Sequence, residues 1–157
     1  MFDARTDHSA RRCLEGLKSA CFAVPIPIKK WLVAPTILFV DDEAPIRELL
    51  SLFFRKKGIE VVTATTGLEA LSILEDRHFD LAILDLNLAG ENGLELLKQF
   101  KREYPKLPVI IFTGLTGDTT LVEQVKAAGG DGFMRKAEPL DNLYEEVKKH
   151  LPRQAPI

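Results

Sequence analysis

The sequence is poor in cysteine, in histidine, in long apolar runs and in net charge, and each shortage removes a class of function. Only Cys13 and Cys21 are present. They are not spaced as a close metal-ligand pair, no histidine stands near enough to complete a zinc set, and they read as reduced thiols. No apolar stretch approaches the roughly 20 residues that cross a bilayer. Asp3, Asp7 and Glu15 interrupt the N-terminus and Pro25 and Pro27 break the stretch after it, so no signal peptide is expected. The expected location is therefore cytoplasmic, without membrane attachment. A net charge of -2 sets up no field for nucleic acid, and no aromatic-basic interleaving supplies one locally. The three histidines, His8, His78 and His150, read as surface positions, which argues against this chain being a phosphohistidine donor.

What is present is the balance of an ordinary globular domain, 46% apolar and 28% charged over 157 residues. Residues 1–34 fit a loosely ordered extension, with Cys13, Leu14, Leu17, Ala20 and Cys21 able to line a short helix. From residue 35 to 151 the pattern alternates, and 152–157 reads as a tail. Apolar runs at 36–40, 59–63, 81–84, 109–112 and 132–134 predict strands. Between them, helices are expected at about 45–57, 67–77, from 93, at 118–128 and from 139. The apolar positions on these helices (Ile46, Leu49, Leu50, Phe53 and Phe54; Leu68, Leu71, Ile73 and Leu74; Leu94, Leu96, Leu97 and Phe100) read as packing faces. Asp118 or Thr119 is a candidate cap for the fourth helix. Five strands and five helices in strict alternation call for a parallel sheet covered on both sides.

Polar groups stand where these runs end. Asp41 and Asp42 follow Ile37-Leu38-Phe39-Val40, Asp85 follows Leu81-Ala82-Ile83-Leu84, Thr113 ends the fourth run and Lys136 follows the fifth. In a parallel sheet all of them reach the carboxyl edge, where open α/β sheets bind ligands. Three crowded carboxylates repel one another, and a hard divalent cation such as Mg2+ relieves that repulsion. One carboxylate oxygen remains free to attack a phosphoryl donor, with Lys136 and Thr113 available to meet charge on the transferred group. No Ser/His or Cys/His pair competes as nucleophile. A blander reading makes Asp41-Asp42-Glu43 a capping cluster for the next helix, but it leaves Asp85 and Lys136 unexplained.

The arrangement resembles the receiver domain of two-component response regulators, over residues 36 to about 150. The motifs are ILFVDDE at 37–43, LAILDLNLAGENGLEL at 81–96, VIIFTG at 109–114 and GFMRK at 132–136. The resemblance implies a flavodoxin-like, doubly wound, five-stranded parallel sheet of order 2-1-3-4-5 with helices on both faces. It implies Asp85 as phospho-acceptor and Asp42 and Asp85 as direct Mg2+ ligands. Asn87 would add its backbone carbonyl, and Asp41 would act through a metal-bound water. It further implies that Lys136 and Thr113 turn to the phosphate and that Phe133 is an aromatic switch position. The partners implied are a sensor histidine kinase or phosphotransfer protein upstream and a protein target downstream, with phosphorylation-dependent dimerisation left open. The expected product is a stand-alone switch rather than an enzyme.

The sequence departs from the family pattern in two places. Ala137 stands where a proline usually follows the lysine, which makes a trans bond and a re-routed loop the expectation. Ala89 replaces a frequent proline after Asp85. Leu115, two residues past Thr113, offers no polar side chain to orient an attacking water, so a long-lived phosphoryl group is expected; faster phosphate loss in Leu115→Glu is the measurement that checks this. Two other functions compete: an Mg2+-dependent phosphohydrolase with an aspartyl nucleophile, and an interaction module that works without phosphate. The first wants a second working carboxylate where Asn87 stands; the second predicts no uptake of phosphate.

Overall fold

A computed structural model describes residues 34–116 and 119–152. The expectations for residues 1–33, for a cap at Asp118 and for the tail beyond 152 lie outside these residues. The sheet is built from β1 (Thr36–Val40), β2 (Glu60–Ala64), β3 (Leu81–Leu84), β6 (Val109–Thr113) and β7 (Gly132–Arg135). Its order is β2-β1-β3-β6-β7 and every pairing is parallel, so the five strands run 2-1-3-4-5 as expected. Five helices alternate with them: α1 (Ala44–Lys56), α2 (Gly67–Asp76), α3 (Gly93–Glu103), α4 (Thr119–Ala127) and α5 (Leu140–His150).

The continuous apolar runs exist because both faces of the central strands are covered. Every residue of β1, β3 and β6 is buried, and successive side chains point to opposite faces. Ile37, Phe39, Leu81, Ile83, Ile110 and Phe112 pack with Leu50 and Phe54 of α1 and with Leu143 and Val147 of α5. Leu38, Val40, Ala82, Leu84, Val109 and Ile111 face the other way, onto Ala70 and Leu74 of α2, Leu97 and Phe100 of α3, and Val125 of α4. Each fully buried Leu, Ile or Phe contributes about 1.5–3 kcal/mol, so two separate apolar layers clamp the sheet and fix where its edges lie. Local signals set the helix ends. Thr66 Oγ1 accepts from Glu69 N at the start of α2, Asn92 Oδ1 accepts from Leu94 N at the start of α3, and Gly58, at φ +78°, ends α1.

Two expectations need correction. Leu49 and Leu68 do not pack inward: they are 51% and 79% exposed. In α1 the inward stripe is Leu50 and Phe54, flanked by half-buried Ile46 and Phe53, and Leu49 falls on the outward stripe with Leu52. In α2 the stripe is Gly67, Ala70 and Leu74, and Leu68 shares its outward side with Ser72 and Glu75. The second correction concerns the segment after Asp85, between the strand expected at 81–84 and the helix expected from 93, where the sequence predicts no element. It folds into a short antiparallel hairpin of β4 (Asn87–Leu88) and β5 (Glu91–Asn92). Gly90 turns it at φ +78°, a conformation that favours glycine.

Candidate functional site

The carboxyl edge collects its polar residues by letting the β-ladder run one step past the strands. Asp41 N donates to Ala64 O (3.1 Å), Asp85 N to Val40 O (3.0 Å) and Lys136 N to Thr113 O (2.8 Å). Each residue's backbone is therefore fixed by the neighbouring strand end. A repeated local turn then aims the side chains. Glu43 N donates to Asp41 Oδ1 (2.8 Å), Asn87 N to Asp85 Oδ1 (3.1 Å) and Leu115 N to Thr113 Oγ1 (3.3 Å). Such i to i+2 bonds are the intrinsic turn chemistry of Asp and Thr. At both aspartates they occupy one carboxylate oxygen and leave the other facing across the rim.

Those other oxygens meet Lys136. Its ammonium lies 2.8 Å from Asp85 Oδ2, 2.8 Å from Asp41 Oδ2 and 2.7 Å from Glu43 Oε1. The lysine side chain is 12% exposed, those of Asp41 and Asp85 are 0% and 2%, and that of Glu43 is 58%. Asp41 Oδ2 is ion-paired with the ammonium, yet this buried oxygen accepts no well-directed hydrogen bond. Burial pushes the Asp41 carboxyl above the usual aspartate range against the pull of Lys136. Burial alone would lower the lysine's pKa; its contacts with Asp41, Asp85 and Glu43 outweigh that and raise it above the ordinary value.

Asp41, Asp42 and Asp85 each present a carboxylate oxygen, and these lie within 4.8 Å of one another. Three such carboxylates, one of which (Asp41) has a buried oxygen without a directed hydrogen bond, suit a hard divalent cation. Asp42 is half-buried beside the rim, and Asn87 is exposed at the start of β4 with its N–H held by Asp85. Thr113 is fully buried at the end of β6. Phe133 is half-buried and packs on the apolar layer beneath α2, α3 and α4. The peptide after Lys136 is trans, as all described peptide bonds are. A turn closed by Glu138 N donating to Arg135 O (3.0 Å) replaces the usual proline geometry and still delivers the ammonium to the rim.

Two contacts go beyond what the sequence suggests. Glu43 occupies the N-cap position of α1, but its side chain makes no capping hydrogen bond and reaches Lys136 instead. Arg47 Nη1 donates to Asp41 O (2.7 Å), tying α1 to the acid pair. The spacing of Arg47 six residues past Asp41 is the available signal.

Comparison with known proteins agrees with this geometry. Residues 37–148 match the response regulator receiver domain family. The chain is 36% identical over 116 residues to sporulation initiation phosphotransferase F of Bacillus subtilis, an alignment covering 74% of this chain and 93% of that protein. It is 32% identical to the phosphate regulon transcriptional regulatory protein PhoB of Pseudomonas aeruginosa, covering 80% of this chain but 55% of that longer protein. Among solved structures, the response regulator TrrA of Thermotoga maritima in complex with Mg2+ and BeF superposes with a TM-score of 0.68. The two are 34% identical, and the alignment covers 74% of this chain and 99% of that one. The two apolar layers, the strand order and the acid-lysine rim thus have one common explanation: the chain belongs to the response regulator receiver domain family of two-component signalling.

Proposed function

We propose that this chain is a phospho-accepting switch in which Asp85 takes a phosphoryl group from a histidine kinase or a phosphotransfer protein. The observation that carries the reading is the Lys136 ammonium, placed 2.8 Å from both Asp85 and Asp41 although 51 residues separate it from Asp85. In the transfer, an Asp85 carboxylate oxygen forms a bond to phosphorus as the bond from phosphorus to the donor's leaving group breaks. Asp85 Oδ2 is the oxygen on the lysine side, and Oδ1 is oriented by Asn87 N. Asp41, Asp42 and Asp85, with the Asn87 carbonyl, are the residues that would hold Mg2+. The bound ion would supply positive charge against the phosphoryl oxygens.

The rest of the switch is carried by the chain's own groups. Lys136 offers N–H donors to the new anion, and Thr113 turns its hydroxyl from Leu115 N toward it. Phe133, on β7 three residues before Lys136, follows the movement. Repacking of the face made by α4, β7 and α5 then alters affinity for a downstream protein. A phosphoryl group shifts such an equilibrium only as far as it prefers one state; moving 1:99 to 99:1 takes about 5.5 kcal/mol.

The test is incubation of the full chain with acetyl phosphate and Mg2+ beside Asp85→Ala, read by intact mass. Addition of one phosphoryl to the wild type only is expected. No addition to either protein would favour a phosphate-independent interaction module.

A further inference from the structure

Lys136 is paired with three carboxylates, and they are not equivalent. Asp41 and Asp85 belong to the buried rim, whereas Glu43 leans in from solvent at 2.7 Å with more than half of its side chain exposed. The ammonium has three N–H donors; Glu43 and Asp85 each take one, and Asp41 presses on it as a buried ion pair, so a phosphoryl oxygen arriving on Asp85 has to draw the ammonium away from acids that already hold it on three sides. Releasing a solvated carboxylate costs little, because water replaces the lost hydrogen bond; releasing a buried one does not have that replacement. Glu43 is also free to leave, since it performs no capping for α1.

From this asymmetry we infer that Glu43 is a positioning residue that holds Lys136 in the unphosphorylated site and competes with the incoming phosphoryl group for it. The inference rests on the reading of Asp85 as acceptor. Glu43 acts in two ways on the same step. It keeps the ammonium drawn outward and occupied, and it adds a negative charge near the path of a donor that is itself an anion. Both effects oppose formation of the phosphorus–oxygen bond on Asp85, with acetate as leaving group when acetyl phosphate is the donor. Once the bond has formed, phosphate and the transition state for its hydrolysis carry similar charge, so Glu43 bears almost equally on both.

The experiment compares wild type with Glu43→Gln, which preserves size and removes the charge. Rates of phosphoryl uptake from acetyl phosphate are measured at saturating Mg2+, and rates of phosphate loss after the donor is removed. Uptake is expected to rise about two- to fivefold, the span of one exposed charge pair, while loss changes by less than about twofold. Unchanged or slower uptake in Glu43→Gln, with a wild type that phosphorylates normally, overturns the inference and leaves the function intact. So does a parallel change in both rates, which marks a merely structural perturbation. A wild type that takes no phosphate while Asp85→Ala behaves identically removes the function, and the role of Glu43 with it.

Discussion

The two edges of the sheet use aspartate in opposite ways. At the amino edge, Asp80 Oδ2 accepts from Thr36 N (2.9 Å), and Asp131 Oδ2 accepts both from Val109 N (2.9 Å) and from Lys101 (2.7 Å). Those carboxylates finish the ladder at the strand starts and carry their charge against partners or water. At the carboxyl edge, Asp41, Asp85 and Glu43 pair with a single lysine, Asp42 crowds beside Asp41 and Asp85, and one buried oxygen accepts no well-directed hydrogen bond. Acids at the first edge hold the fold together, whereas acids at the second are held in place at the fold's expense. The same residue type serves stability or chemistry according to whether its oxygens are satisfied.

The sharpest way to break this contrast is to remove the cation. Lys136→Ala leaves two buried carboxylates without their counter-charge and is expected to cost about 3 kcal/mol in urea unfolding with chelator present. Millimolar Mg2+ should return part of that loss, since a ligand that binds only the native state stabilises it by mass action. A loss that is identical with and without Mg2+ would remove the electrostatic account of the rim. The matching change at the other edge is Asp131→Ala, which orphans the buried Val109 N–H and should cost about 1–3 kcal/mol. That cost is expected to be insensitive to Mg2+, and any dependence on the ion would erase the division between the edges.

The smallest effect has the opposite sign. Asp41→Asn should stabilise the chelated protein by about 1 kcal/mol at neutral pH and weaken its response to Mg2+. The pH dependence comes from the raised Asp41 pKa. A carboxyl that binds its proton more tightly in the fold favours folding below its unfolded value of 3.8, and this advantage fades as pH climbs through the folded value. Wild type and Asp41→Asn should therefore converge in acid and separate above the folded pKa. A constant gap from acid to neutral pH would assign the gain to something other than ionisation.

The legible part of this molecule is the part set by continuous burial. Ile37 to Val40 and Leu81 to Leu84 have the short, continuous apolar form of strands covered on both faces, and in a parallel sheet the polar residues that end them share an edge. Helix faces are less legible, because Leu49 and Leu68 fit a helical period as well as the residues that do pack; only the sheet decides which stripe turns inward. The β4–β5 hairpin escapes a reading by pattern because two-residue strands carry no periodicity, and Gly90 could equally mark an open loop. Asp80 and Asp131 carry a weak signal, since an aspartate directly before a strand is placed to accept from the neighbouring strand's first N–H. The contact between Glu43 and Lys136 spans 93 residues and depends on how far two long side chains reach, which no spacing rule conveys.

The placement of β7 has a consequence for how the chain matures. Among the described residues it is the last strand in sequence, and it lies at the sheet's outer border beside β6, yet it leads to the ammonium that balances acids following β1 and β3. During synthesis, which proceeds from the N-terminus, those acids emerge long before their counter-charge. A nascent chain, or a proteolytic fragment ending before Gly132, carries the acids without the cation, so the charge-balanced rim belongs to the finished fold alone.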